Sequence, residues 1–173
     1  MMCDWQLELR PALPCVYGPV DYRIYREQLI TIDRLLDEGG LELEFVRESL
    51  RAPDAPSDAE SRQRLASRSA LALRCNLARK LTGLAYRDFA VQVAQSELLR
   101  WFLRLGLQVN RLGQLKTPSK STLERFDKWL SADSLAWVNR LVVVAATGEQ
   151  SRPDALGLHA PILSDEVFFD TTC

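Results

Sequence analysis

The chain has 173 residues, of which 47% are hydrophobic, so it is long enough to form one domain with a real core plus extensions. No apolar stretch is long enough to cross a bilayer, and the N-terminus lacks the basic and apolar regions of a secretory signal, so we expect no membrane attachment. Four scattered cysteines without a C-x-x-C pair and a single histidine argue against a zinc site and against a disulfide framework. A reducing cytoplasm is the expected compartment.

The net charge of -1 conceals a separation of charge along the chain. Between Arg62 and Lys128 there are 14 Lys or Arg residues and four Asp or Glu residues, which gives this segment a net charge of +10. Residues 1–61 carry -7 and residues 129–173 carry -4. A basic segment between acidic flanks suggests a surface that faces a polyanion, but solvated arginine-rich helices fit the same counts. Charge alone leaves both interpretations open.

Two helices and a linker are predicted in the acidic first part of the chain. Residues 20–36 carry apolar side chains at helical spacing and are followed by a glycine pair. These residues are Tyr25, Leu29, Ile32 and Leu36, followed by Gly39 and Gly40. Residues 41–50 fit both a strand and a helix, and we favour a helix because no hairpin partner is visible. Residues 51–61, with two prolines, small residues and acids, predict a linker.

A long helix is predicted from about Ser61 to Leu81, with Gly83 just past its end, where a C-cap glycine belongs. Its predicted apolar face consists of Ala66, Ala70, Leu73, Leu77 and Leu81. The arginine-rich helices joined through Gly83 are compatible with a helix-turn-helix, although generic helical packing is the commoner outcome.

Two shorter helices are predicted next. One starts near Tyr86, and the other follows Ser96 as N-cap and ends at Gly106. Trp101 and Trp129 lie beside other aromatic residues at helical spacing, so we expect both in the core rather than on a base-stacking surface.

Residues 117–130 carry strong signals for the start of a helix. Pro118 and either Ser119 or Ser121 are typical of an N-terminus, and Glu124 follows Ser121 by three residues, as in a capping box. The expected buried face consists of Leu123, Phe126 and Leu130.

The same segment is a candidate site for phosphate groups, and we call it the basic helix surface. Hydroxyl groups and free backbone N–H groups at a helix N-terminus accept an anion, and lysines and arginines neutralise it. The residues of this surface are Lys116, Ser119, Lys120, Ser121, Thr122, Arg125 and Lys128. An ordinary serine-capped surface helix fits the same pattern, so the pattern by itself does not decide the function.

The last part of the chain is predicted to contain a helix after Ser134, ended by Gly148, a connection over 148–165 and a short strand over 166–170. Asp170 ends that strand and is a candidate metal ligand. A lone aspartate there is more often a solvated or capping residue, because divalent-metal chemistry needs at least a second carboxylate.

Several segments, taken in order, resemble the N-terminal region of bacterial insertion-sequence transposases with a DDE, RNase H-like catalytic core. Residues 28–50 are similar to the leader region of that family, and residues 81–107 and 117–130 are similar to its DNA-binding helices. The closing residues are similar to its first catalytic strand. The corresponding segments are QLITIDRLLDEGGLELEFVRESL, LTGLAYRDFAVQVAQSELLRWFLRLGL, TPSKSTLERFDKWL and FFDTT.

The resemblance implies a mainly α fold, with a helical DNA-binding N-terminal domain followed by the first β-strand of a truncated RNase H-like α/β core. The implied domains are a helical leader and linker (1–60), a helical DNA-binding domain (61–147), and a connection with the first strand of the catalytic core (148–173). The implied function is to bind double-stranded DNA at the ends of an insertion element during transposition. A second copy of the chain or a full-length transposase is a possible further partner, and the implied location is the cytoplasm, at the nucleoid.

Carried over by residue, Asp170 matches the first catalytic aspartate, which is also a metal ligand. Ser121, Thr122, Leu123 and Arg125 match the S-T-L-x-R-F core of the DNA-binding helix, although the family often has Asp-His where this chain has Ser119-Lys120. Mg²⁺ is implied for the full-length family. Because the second Asp and the Glu are missing, we expect this chain to hold no cofactor and to be catalytically inactive. A DNA-binding regulator derived from such an element, and a relic without function, remain as alternatives.

Overall fold

A computed structural model describes residues 12–15, 17–105 and 114–129. This part of the chain is mainly helical, as predicted, and contains six α-helices and no β-strand. The helices are α1 (Val20–Asp37), α2 (Leu41–Arg51), α3 (Ala59–Thr82), α4 (Tyr86–Gln95), α5 (Glu97–Phe102) and α6 (Lys120–Trp129). No helix in these ranges is long and apolar enough to cross a membrane.

The first two helices confirm the sequence prediction. The α1 helix ends at Asp37, and Gly40 then adopts a left-handed conformation with φ of 72°. Its N–H group donates a 3.1 Å hydrogen bond to the Asp37 carbonyl, which ends the helix. The ambiguous segment at 41–50 forms α2, because its buried apolar residues recur at helical spacing. They are Leu41, Phe45, Val46 and Leu50.

The predicted linker is shorter than expected. Residue Arg51 still belongs to α2, and α3 begins at Ala59, so only residues 52–58 connect the two helices. The Asp58 carboxylate accepts a 2.8 Å hydrogen bond from the Ser61 N–H group, as an N-cap does, and this bond lowers the pKa of Asp58. Two of the acidic residues that suggested a linker, Asp58 and Glu60, therefore lie at the start of α3.

The predicted apolar face of α3 is only partly correct. Ala66 and Leu73 are buried, but Leu81 is 44% exposed. Residues 72–76 are all buried, and five consecutive helical residues cover more than one full turn. Residues 72–76 of α3 are therefore enclosed on all sides, and they include the polar side chains of Arg74 and Asn76.

The described residues form two compact units. The first unit comprises 12–26 and 71–129, and carries 12 basic and five acidic residues within the described ranges. The second unit comprises 27–70, and carries six basic and ten acidic residues. The charge separation read along the sequence is thus also a difference between the two units.

In the first unit, α4 packs against both α5 and α6. Phe89 and Val93 of α4 are fully buried, and α5 buries four of its six residues. Among the described residues of the second unit, the buried apolar side chains lie on α1, α2 and α3, and two acids, Asp33 and Glu42, are buried as well.

Helices α4 and α5 begin as predicted, at Tyr86 and after Ser96, whose side chain accepts a 3.2 Å hydrogen bond from the Leu99 N–H group. The α5 helix nevertheless ends at Phe102, four residues before Gly106. Arg104 has a φ of 51° and its N–H group donates to the Trp101 carbonyl, while the Leu105 N–H group donates to the Arg100 carbonyl. This is the Schellman pattern of hydrogen bonds, formed here with an arginine in the place usually taken by glycine.

The prediction for the two tryptophans is half correct. Trp101 is buried, whereas Trp129 is 38% exposed and lies against Phe126 with 5.6 Å between ring centroids. The predicted helix after Ser134, the strand over 166–170 and Asp170 lie outside the described residues.

Candidate nucleic-acid interface

Helix α6 is capped by Ser119 rather than by Ser121. The Thr122 N–H group lies 3.4 Å from Oγ of Ser119, and the helix begins at Lys120. The predicted capping box between Ser121 and Glu124 is wrong, because Ser121 lies within the first turn. Glu124 forms an ion pair with Lys120 instead, with 3.3 Å between Oε1 and Nζ.

Three hydroxyl groups cluster at this end of α6. The Oγ atom of Ser119 lies 3.1 Å from Oγ of Ser121 and 3.0 Å from Oγ1 of Thr122. Arg125 folds back toward the same turn, where its guanidinium donates to Thr122 Oγ1 at 3.4 Å and to the Ser121 carbonyl at 3.3 Å. Because the N-terminus of a helix is the positive end of its dipole, this turn combines hydroxyl donors with positive charge.

The residues of the basic helix surface are accessible. Six of the seven are exposed and Thr122 is half-buried. Ser121, Arg125 and Lys128 follow at spacings of four and three, so they share one face of α6, opposite the buried Leu123 and Phe126. That face is the one that the sequence predicted for DNA contact.

Most cations of this surface have no acidic partner among the residues that the structure describes. Lys120 is paired with Glu124, but no carboxylate of the described residues pairs with Lys116, Arg125 or Lys128. These three exposed cations, on and beside a ten-residue helix, favour the approach of an anion.

Apolar packing and a capped carbonyl hold the opposite face of α6 in place. Leu123 is 2% exposed and Phe126 is 6% exposed. The Nδ2 atom of the buried Asn76, on α3, donates a 2.8 Å hydrogen bond to the Phe126 carbonyl. Phe126 is one of the last four residues of α6, whose carbonyls have no donor within the helix, so Asn76 satisfies a group that would otherwise be buried and unpaired.

A polar junction joins α6 to α3 and α4, and we call it the Asp127 junction. Oδ1 of Asp127 accepts a 2.9 Å hydrogen bond from Nη2 of Arg79. The hydroxyl group of Tyr86 is a hydrogen-bond partner of the same carboxylate. The Arg79 guanidinium lies 4.3 Å from the centroid of the Tyr86 ring, in cation–π geometry. One carboxylate therefore contacts residues of two other helices.

The pKa values within this junction are shifted in the direction that these bonds favour. Partial burial by itself would raise the pKa of Asp127, but the hydrogen bonds from Tyr86 and Arg79 and the charges of Arg79 and Lys80 lower it overall. The hydrogen bond to Asp127 raises the pKa of the Tyr86 hydroxyl, because it favours the protonated form.

Two arginines counted in the basic segment serve the fold rather than the surface. Arg74 is 1% exposed, and its Nη1 atom donates a 2.8 Å hydrogen bond to the Phe102 carbonyl at the end of α5. Its guanidinium also lies 5.4 Å from the centroid of the Phe102 ring. The guanidinium group of Arg79 donates a hydrogen bond to Asp127 in the Asp127 junction. Sequence reasoning missed both roles, because the partners lie 28 and 48 residues away and leave no local signal.

Within the described residues there is no group of three or more His, Cys, Asp or Glu side chains that could hold a metal ion. Asp170, the predicted catalytic and metal-binding residue, lies outside these residues.

Comparisons with protein-family models, with curated proteins and with solved structures found no match to this chain. A functional proposal therefore rests on the geometry of α6 and on the residues that carry the sequence resemblance.

Proposed function

We propose that this chain binds double-stranded DNA through the basic helix surface, with α6 contacting the phosphate backbone. We further propose, from the sequence resemblance, that this binding belongs to the DNA-binding part of an insertion-element transposase. The observation that carries the proposal is the exposed face of α6, where Ser121, Arg125 and Lys128 are aligned on the side opposite the buried residues.

The chemistry of this face suits phosphate groups better than bases. Arginine, lysine, serine and threonine side chains and helix N-termini are the usual donors to phosphate oxygens in protein–DNA complexes. All of these are present within residues 116–128, and the hydroxyl cluster and Arg125 are already arranged around one turn. Binding of this kind positions a protein on the duplex and carries no sequence information directly.

Salt dependence is the main test. We expect the affinity for a duplex of about 25 base pairs, measured by fluorescence anisotropy, to fall steeply between about 50 and 200 mM salt, because each neutralised phosphate releases counterions. Affinity that does not change with salt would refute the proposal.

A pair of single substitutions locates the contact. Lys128→Ala should weaken binding and lower the slope of log K against log salt by about one, because a phosphate contact is lost. Arg68→Ala removes the same charge from an exposed position of the second unit and should leave the slope unchanged. Equal effects of the two substitutions would indicate diffuse attraction by overall charge instead of a site on α6.

The transposase assignment needs a separate comparison. Duplexes taken from the genomic DNA that flanks the coding sequence should bind more tightly than scrambled duplexes of equal length. Equal affinity would leave general DNA binding in place and contradict recognition of element ends.

A further inference from the structure

We propose that Asp127 is a positioning residue for DNA binding, which strengthens the binding although its own charge repels DNA. This inference rests on the proposed function, since it concerns the same helix. The Asp127 junction fixes the orientation of α6, and with it the basic helix surface.

The junction is placed where it can control orientation. Asp127 lies in the last turn of α6, Arg79 in the last turn of α3, and Tyr86 is the first residue of α4. Three helices thus meet at one carboxylate, with 2.9 Å between Asp127 and Arg79 and 4.3 Å between Arg79 and the Tyr86 ring.

Apolar packing alone would orient α6 poorly. The contacts of Leu123 and Phe126 are non-directional, whereas hydrogen bonds require a defined angle and distance. Besides the bond from Asn76 to the Phe126 carbonyl, the Asp127 junction supplies the directional contacts of α6 to α3 and α4 among the described residues.

Distance amplifies any loss of orientation. The hydroxyl cluster begins at Ser119, eight residues before Asp127, which is about 12 Å along a helix axis. A rotation of about 10° about the junction would therefore move the cluster by about 2 Å, enough to break a hydrogen bond to phosphate.

Charge and positioning predict opposite signs for the same substitution. Asp127→Asn removes an acid next to Lys128 and releases Arg79, so electrostatics alone predicts tighter binding to DNA. Positioning predicts weaker binding, because the ion pair and its orienting effect are lost.

The experiment compares Asp127→Asn with Glu124→Gln. Each substitution removes one negative charge from α6, but Glu124→Gln breaks only an ion pair with Lys120 of the same helix. We expect Glu124→Gln to bind duplex DNA about two- to fivefold more tightly, as an exposed charge allows, and Asp127→Asn to bind about three- to tenfold more weakly. Tighter or unchanged binding by Asp127→Asn would overturn the positioning role.

A double-mutant cycle supplies the second readout. If Arg79 and Asp127 act through one junction, Arg79→Gln also lowers the affinity for DNA. The double variant then binds DNA as tightly as whichever single variant has the lower affinity. If Arg79 instead contacts phosphate while Asp127 repels it, the two effects have opposite signs and cancel in the double variant. Cancellation would overturn the inference.

To exclude effects of unfolding, binding by all variants is measured at a temperature where their circular dichroism equals that of the wild type. Weakened binding seen only where helix content falls would count against positioning. Absence of salt-dependent DNA binding by the wild-type chain would overturn the proposed function itself, and with it this inference. Wild-type binding with an unaffected Asp127→Asn variant would overturn the inference alone.

Discussion

The side chain of Asn76, in the buried stretch of α3 over residues 72–76, donates a 2.8 Å hydrogen bond to the backbone carbonyl of Phe126, near the end of α6. The same helix supplies Arg74 to the carbonyl of Phe102, at the end of α5, also at 2.8 Å. Two buried polar residues of α3 thus satisfy the C-terminal carbonyls of two other helices in the first unit. Polar side chains are expensive to bury, but here each replaces a donor that a helix end lacks.

Removal of the Asn76 donor should destabilise the protein. Asn76→Ala leaves the Phe126 carbonyl unpaired, and we expect a loss of about 1–3 kcal/mol in the free energy of unfolding, measured by urea denaturation. Asn76→Asp has nearly the same volume but places a carboxylate against the carbonyl, so it should be at least as harmful at neutral pH. Ser67→Ala, at an exposed position of the same helix, is the control and should change stability by less than about 0.5 kcal/mol. A stable Asn76→Asp variant would contradict this role.

Replacement of Arg74 by an apolar side chain of similar length should destabilise the protein. Arg74→Met keeps the stem but removes every donor, and we expect a cost of about 1.5–3 kcal/mol, typical of a buried hydrogen bond from a charged group. Arg74→Lys retains a charge and should cost less. The exposed Arg68→Met is the matched control, and equal unfolding midpoints for Arg74→Met and Arg68→Met would show that Arg74 does not support α5.

The two faces of α6 should respond oppositely to truncation. Leu123→Ala and Phe126→Ala remove buried side chains and should each cost about 2–5 kcal/mol. Lys120→Ala and Arg125→Ala should leave stability within about 0.5 kcal/mol and keep helix content intact, while weakening DNA binding. A reversed pattern, with unfolding caused by the charge substitutions, would mean that the faces are assigned the wrong way round.

Gly83 tests the backbone conformation at the end of α3. Its φ is +65°, and nothing lies within 4 Å of the position that a Cβ atom would take. Gly83→Ala should therefore cost only the left-handed backbone penalty of about 1–2 kcal/mol, without a steric clash. Asparagine tolerates this conformation better, so Gly83→Asn should unfold at a higher temperature than Gly83→Ala. Equal melting temperatures for Gly83→Ala and the wild type would contradict the left-handed conformation.

Acid should weaken the Asp127 junction. The pKa of Asp127 is lowered from its ordinary value in the folded protein, so its ionised form stabilises the fold above the unfolded pKa. This contribution is lost as the pH falls through the folded pKa. The difference in unfolding free energy between the wild type and Asp127→Asn should be largest near neutral pH and should shrink below about pH 4. Urea denaturation of both proteins at several pH values measures it, and a difference that is constant with pH would show that the ionised carboxylate contributes nothing.

Helical periodicity and capping signals allowed much of the fold to be predicted. The bounds of α1 and α2, the start of α4 and the cap at Ser96 followed from apolar spacing and from a hydroxyl side chain next to a helix start. For α6 the same signals left Ser119 and Ser121 both open as the cap. The burial of Leu123 and Phe126, and the exposure of the charged residues of α6, followed in the same way. These features depend on neighbours within about four residues, so the local sequence contains the information.

Predictions were wrong for the burial of three residues and for the end of α5. Leu81 and Trp129 are more exposed than apolar spacing indicates, and Arg74 is more buried than its charge indicates. The end of α5 is set by a Schellman pattern around Arg104, although glycine is the usual signal for such an end.

The sequence by itself determined that the described part of this protein is mainly helical, where most of its helices begin, and which face of α6 is buried. Only the tertiary structure decided which of the basic residues remain available to a polyanion. Arg74 and Arg79 have the same charge as Arg125 and Lys128, but their guanidinium groups bond to the Phe102 carbonyl and to Asp127, whereas Arg125 and Lys128 are exposed. The physical reason is that a hydrogen bond depends on distance and angle in space, and residues separated by 28 to 50 positions approach each other only when the helices pack.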